Sequence, residues 1–208
     1  IKEKIFKGIA VSYGFVVGNC AIKKSSDLSY SKYNIPTSEV KNEMERLDKA
    51  VKNSVSDLGK IIKKIKDHKN DIYDEMKFLL EANISIISSS SLVSDAKKRI
   101  HSDLINAEFA IIEELNKHSK IFKKIKDDYL KDRFDDVRDV CRRILENLQK
   151  KKRKQKFIRD NQILISNELS AADLLSLSKT KLSGLVSVMG GPEGHFAIVA
   201  RSLSIPTL

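Results

Sequence analysis

Between Val40 and Leu148 the apolar residues recur at intervals of three and four, a period that dictates helices packed on one another. Val40, Met44, Leu47, Val51, Val55, Leu58, Ile62 and Ile65 form the first stripe, with Thr37 or Ser38 placed to cap its helix. A second stripe begins near Asp71 with Ile72, Met76, Leu79, Leu80, Ile86 and Ile87. The serine run Ser88 to Ser91 then interrupts it and caps a further short helix. From Asn106 the set Phe109, Ile112, Phe122, Ile125, Tyr129, Val137, Val140, Ile144 and Leu148 predicts two helices, broken near His118 and Ser119. Helices striped in this way bury one face each, so a helical core is expected.

Both ends of the chain are patterned differently. From Ile5 to Ile22, short apolar groups separated by Gly8, Gly14 and Gly18 read as strands. Near the other end, Gln162 to Ser166 reads as a buried strand, Ala171 to Leu177 as a short helix and Gly184 to Met189 as a strand. That alternation suits an α/β layer. The economical architecture is an α/β domain built from residues 1–34 and 150–208, interrupted by an all-α domain over 35–149.

The formal charge of +11 raises the question of an acidic partner or nucleic acid. Most lysines alternate with Asp and Glu along helices, as solvated faces do, and the dense run Lys150 to Lys156 reads as a solvated junction. Without an aromatic stacking set beside it, nucleic acid is not expected as a partner. Cys20 and Cys141 are read as free thiols of a reducing compartment, and neither has metal-ligand spacing. No apolar run is long enough to span a bilayer and the N-terminus lacks a secretory apolar stretch, so a cytoplasmic, membrane-independent protein is expected.

The chemistry concentrates in GGPEGHFAIVARSL, Gly190 to Leu203. Phe196, Val199 and Leu203 keep helical spacing, which places His195 in the first turn of a helix that must end before Pro206. The free N–H groups of a helix N-terminus favour phosphate, and Gly190, Gly191 and Gly194 let backbone approach it closely. On these residues alone, a hydrogen-bonded loop histidine and a phosphoryl acceptor both remain open.

With KGIAVSYGFVVG, the run Asp127 to Leu145, QILISNELSAADLLSL and GGPEGHFAIVARSLSIPTL, the chain resembles the N-terminal half of Enzyme I. That family is the phosphoenolpyruvate-protein phosphotransferase of the bacterial phosphotransferase system. The histidine motif is shared with other phosphoenolpyruvate-using enzymes, whereas the helical insertion with its Tyr129-to-Asp139 signature favours Enzyme I. The resemblance implies a swivelling phosphohistidine domain and a helical insertion that docks HPr or an HPr-like phosphocarrier. In this family His195 would be phosphorylated on Nε2, with Gly190, Gly191, Gly194 and Arg201 supporting the phosphate. Asp74, Glu75, Glu81, Arg133 and Asp136 fall on matching docking positions. No cofactor is expected within this chain. Family members continue into a barrel that binds phosphoenolpyruvate and Mg2+ and supports dimerisation, so the chain is expected to be a fragment that exchanges phosphate with a carrier.

Departures from the family pattern are concentrated around the histidine. Glu193 and Gly194 stand where Thr-Ser is common, Phe196 replaces a small polar residue, and Leu174 stands at the place of a threonine that orients the ring. Asp173 is a candidate substitute for that threonine, and Ser88 to Ser91 replace a more acidic stretch. The alternative reading is a noncatalytic helical interaction module with a structural histidine motif. Sugar uptake and nitrogen regulation are not separated by these residues.

Overall fold

The computed structural model describes residues 3–23, 31–65, 71–89, 91–122, 128–149, 158–177 and 180–208. The basic run Lys150 to Lys156 and the core position Ile125 lie outside the described residues. The chain divides into two compact units, one made of Ile1–Asp27 with Gln155–Leu208 and the other of Leu28–Lys154.

The second unit is helical: α1 Val40–Ile65, α2 Asp71–Ser89, α3 Ser91–Asp103, α4 Ala107–Phe122 and α5 Asp128–Leu148. The stripe of α1 works as its period predicts, since Leu47, Leu58, Ile62 and Ile65 are buried. Each such side chain taken from water stabilises by about 1.5–3 kcal/mol. Helix α1 packs on α2 and α5, and α4 packs on α3 and α5.

Three local expectations are corrected in this unit. A single 3-10 turn, Thr37–Glu39, precedes α1, and its N-cap is Pro36 with no side-chain cap bond, so neither Thr37 nor Ser38 caps. Proline already holds the φ that the turn needs. Helix α4 runs unbroken through His118 and Ser119 to Phe122. Its buried face is Ala107, Ala110, Ile111 and Glu114, with Phe109 and Ile112 only half-buried. The face turns because Glu114, 2 % exposed, is held by Arg99 from α3, Nε and Nη2 donating to Oε1 at 3.0 and 2.7 Å.

The helical unit begins earlier than residue 35 because the preceding segment is bonded into it. Ile35 N–H donates to the Leu104 carbonyl at 2.8 Å, Asn106 N–H to the Tyr33 carbonyl at 3.2 Å, and Tyr33 N–H to Asn106 Oδ1 at 3.2 Å. Arg46 closes the same corner. Its Nη2 donates to Glu43 at 2.6 Å and to Glu108 at 2.5 Å, while its Nη1 reaches the Leu148 carbonyl at 3.2 Å.

The other unit carries a three-stranded parallel sheet of β1 Asn19–Lys23, β2 Gln162–Ser166 and β3 Gly184–Ser187, in that spatial order. Helices α6 Ala171–Ser176 and α7 His195–Ser202 follow β2 and β3 and pack on each other. After α7 the chain returns beside β3, with Leu185 N–H donating to the Pro206 carbonyl at 2.8 Å. Thr207 pairs on its far side with Ser12, in an antiparallel bridge.

Only Asn19–Lys23 of the expected N-terminal strands is regular. Ahead of it, close approach rather than alternation sets the path: a Cβ on Gly14 would lie 2.4 Å from the Pro206 ring. Strand propensity is a matter of context, and Ile5, Phe6, Tyr13, Phe15 and Val17, each at least 81 % exposed, do not find the buried face that strands need.

Candidate phosphoryl-acceptor site

Three strand ends define one edge of the sheet. Lys23, Ser166 and Ser187 are partners in register and are the last residues of β1, β2 and β3. In open parallel sheets this carboxyl edge is where ligands bind. The connection from β3 to His195 leaves from it and is bonded to the connection from β2 to α6. Val188 N–H donates to the Ser166 carbonyl at 3.1 Å, and Met189 N–H to the Asn167 carbonyl at 2.8 Å.

Gly190 then takes φ +117°, a conformation that a side chain resists. Gly194 N–H bonds back to the Gly191 carbonyl at 3.2 Å, closing the turn. Gly194 is the N-cap of α7, with extended backbone and no side-chain cap bond, and its carbonyl accepts from Ala197 and Ile198 at 2.9 and 3.1 Å. His195 is the first helical residue and is partly buried. Gly194 has no side-chain oxygen to cap the first turn of α7, whose positive dipole end lies at His195. The expected glycines and His195 are thus brought together.

Arg201 joins them from the last turn of α7. Its Nη1 donates to the Pro192 carbonyl at 2.7 Å, so the guanidinium reaches back over the helix to the turn ahead of His195. Glu193 is exposed and Phe196 partly buried. Leu174 is 1 % exposed and its side chain, as a leucine's, offers the histidine no hydrogen bond.

Asp173 is also buried, at 3 % exposure, and its carboxylate is engaged. With Ser170 it forms a reciprocal capping box at the start of α6, Ser170 Oγ accepting from Asp173 N–H and Asp173 Oδ2 from Ser170 N–H, each at 3.2 Å. Lys23 Nζ pairs with the same Oδ2 at 3.1 Å. Lys23 was not among the expected site residues. The Ser170-to-Asp173 spacing is a readable cap signal, whereas nothing local in the sequence points to Lys23.

The residues expected to meet a carrier lie in the helical unit. Asp74, Glu75 and Glu81 are exposed on α2, where Phe78, 69 % exposed, shares the face of Asp74 and Glu81 by its i+4 and i−3 spacing. Glu81 has Lys77 at 3.8 Å. Arg133 belongs to α5. The docking role expected of Asp136 does not match its burial, because a carboxylate only 6 % exposed offers a partner little surface. Among the described residues no group of three His, Cys, Asp or Glu could hold a metal ion, and no helix is long and apolar enough to cross a membrane.

Comparison with known proteins gives concordant matches. Residues 7–133 match the family model of the PEP-utilising enzyme, N-terminal, and residues 158–208 that of the PEP-utilising enzyme, mobile domain. The chain is 30 % identical over 207 residues to a phosphoenolpyruvate-protein phosphotransferase of Bacillus subtilis, covering 97 % of this chain and 35 % of that protein. It is 30 % identical over 211 residues to the one from Mycoplasma capricolum, covering 99 % and 35 %. The chain therefore spans about a third of the length of these relatives. An NMR solution structure of Enzyme I superposes with a TM-score of 0.77 at 27 % identity, covering 98 % of this chain and 82 % of that one. A structure of the N-terminal domain of Enzyme 1 - Nitrogen shares the fold, with a TM-score of 0.65 at 23 % identity over 95 % of this chain and 79 % of that one.

Proposed function

We propose, from the premise that this chain belongs to the PEP-utilising enzyme N-terminal family and is homologous to Enzyme I, that it relays a phosphoryl group through His195. The observation that carries this reading is the placement of His195 as the first residue of a glycine-capped helix, at the carboxyl edge of a parallel sheet. In this reading the α/β unit is the phosphohistidine domain.

The chemistry is a displacement at phosphorus. A neutral imidazole nitrogen of His195 attacks in line; a P–N bond forms as the donor's P–O bond (phosphoenolpyruvate) or P–N bond (a phosphorylated carrier) breaks. The three phosphoryl oxygens are stabilised by the positive end of the α7 dipole and gain contacts to the guanidinium of Arg201, which has donors beyond the one given to Pro192. The reverse transfer delivers the group to a histidine of HPr or an HPr-like carrier.

The carrier meets α2 through Asp74, Glu75 and Glu81, with Arg133 contributing from α5. Phe78 supplies the apolar centre of that face, in the usual pattern of an aromatic anchor within a polar rim. Phosphoenolpyruvate, Mg2+ and dimerisation belong, in this reading, to the two-thirds of the relatives that the chain does not span. The relay is placed in the cytoplasm.

The test is to mix the chain with radiolabelled phospho-HPr. Acid-labile, alkali-stable label should move onto the chain and vanish in His195→Ala. Undiminished labelling of that variant would overturn the assignment, and a chain that takes no label at all favours the noncatalytic module.

A further inference from the structure

We infer that Arg46 is a clamp on the connections between the two units: it ties both stretches of chain that leave the helical unit to one corner of it, and so restrains how the units turn against each other.

The two connections are far apart in sequence and are joined by side chains. The chain passes between the units twice, at Asp27–Leu28 and at Lys154–Gln155. On the helical side, Ser31 to Ile35 follow the first passage and Leu148, the last residue of α5, precedes the second. Asn106 holds the first stretch, its Oδ1 accepting from Tyr33 N–H at 3.2 Å and its Nδ2 donating to the Ser31 carbonyl at 3.3 Å. The same Nδ2 donates to Glu108 Oε2 at 3.1 Å. Arg46 then takes both Glu108 oxygens, Nη1 donating to Oε1 at 2.7 Å and Nη2 to Oε2 at 2.5 Å. From there Nη1 reaches the Leu148 carbonyl at 3.2 Å, so Asn106, Glu108 and Arg46 run unbroken from one connection to the other. Lys32 adds a further hold on the first stretch, its ammonium 4.9 Å from the centre of the Phe109 ring in α4.

This corner depends on one cation. Glu43, Asn106 and Glu108 are buried, so water is poorly placed to substitute for a lost bond. Glu43 Oε1 accepts from Arg46 Nη2 and from Ala107 N–H, each at 2.6 Å, which fixes the guanidinium against the start of α4. Among the described residues Arg46 is the only cation paired with either carboxylate. Relative motion is the ordinary expectation for units joined by short connections, and hinge motion is absorbed by a few residues at the ends of elements. Ser31, Tyr33 and Leu148 hold such positions, and they are the residues that the network fixes. Arg99 and Glu114 form a similar pair within the same unit, but neither bonds to a connection.

The experiment measures distances between the units by pulsed electron resonance. Nitroxides are placed on Cys20, exposed in the α/β unit, and on Lys52→Cys, an exposed position of α1; the buried Cys141 stays unlabelled. Arg46→Ala should broaden the distance distribution about twofold. It should also quicken exchange of the Tyr33 and Ile35 amides about tenfold, the scale of one lost hydrogen bond. Asn106→Ala frees the first stretch and leaves Arg46 on Leu148, so its broadening should be intermediate. Arg99→Ala should match the parent in both measurements. A parent distribution as broad as that of Arg46→Ala, or equal broadening in Arg99→Ala, would overturn the inference. An Asn106→Ala distribution identical to the parent's would overturn it even if Arg46→Ala fails to fold. No phosphoryl donor is present in these measurements, so they stand apart from the test of His195.

Discussion

Arg201 and Pro192 are joined by a 2.7 Å hydrogen bond from the guanidinium to the carbonyl, tying the last turn of α7 to the turn in front of its first residue. A cation is ordinarily favoured at a helix C-terminus, beside the carbonyls there. Here the side chain folds back toward the opposite end, so its charge is carried to the turn ahead of His195.

Removing that tie should both loosen the turn and slow transfer. For Arg201→Ala we expect transfer from phospho-HPr to fall about tenfold, the scale of one charge-assisted hydrogen bond, with faster amide exchange at Gly191 and Gly194. Arg201→Lys keeps the charge without the planar fork and should fall between the two. Unchanged exchange in Arg201→Ala would show that the turn stands without the tie.

Gly190 and Gly191 make an internal control for backbone strain. A Cβ at either meets nothing within 4 Å, yet only Gly190 has a φ of +117°. Gly190→Ala should therefore cost about 1–2 kcal/mol and Gly191→Ala much less, read from urea denaturation of the two variants. Equal costs would place the constraint in packing.

The Arg46 corner predicts a pH signature. Burial pushes the Glu108 carboxyl up, but hydrogen bonds from Arg46 and Asn106, together with Glu108's own backbone N–H, outweigh burial and hold it below the ordinary 4.5. A depressed folded value gives stability that is present above the unfolded value and is lost as pH falls through the folded one. Thermal melts of the parent should thus steepen in their loss of stability below pH 4.5, and Glu108→Gln should flatten that part of the profile. Arg46→Ala leaves Glu43 and Glu108, each with its side chain 11 % exposed, without their cation and should cost roughly 2–4 kcal/mol at neutral pH.

The two thiols should differ sharply in reactivity. Burial, with a smaller contribution from the Asp139 charge, pushes the Cys141 thiol up to about 12, and the residue is fully buried. Cys20 is exposed. At pH 8 an aromatic disulfide reagent should titrate Cys20 alone in the folded chain and both residues in denaturant. Modification of Cys141 without unfolding would contradict its burial.

On α2, Phe78→Ala should weaken carrier binding by about 1–2 kcal/mol in calorimetry, with little change in the chain's melting temperature, because the ring is already 69 % exposed. Asp74→Lys should weaken it further at low salt than at high salt. Binding indifferent to both substitutions would remove α2 from the docking face.

Much of this was legible from local pattern. The α1 stripe, the strand Gln162–Ser166 and the histidine behind its glycine turn all rest on residues close in sequence, where period and turn chemistry act directly. Local pattern failed where a distant charge intervened. The buried face of α4 turned toward Glu114 because Arg99 holds it, and Phe109, which reads as core by period, was left half-buried. The N-terminal segment reads as strands by its apolar groups, yet Gly14 lies against Pro206 from the far end of the chain.

By itself the sequence determined that the middle of the chain is helical and that His195 begins a helix, because hydrogen bonds within a helix and the freedom of glycine need no remote partner. Only the tertiary structure decided that Lys23 meets Asp173 and that residues 31–35 join the helical unit. Those contacts depend on the parallel register of the strands and on bonds between Tyr33 and Asn106, partners far apart in sequence, so no stretch of neighbouring residues carries them.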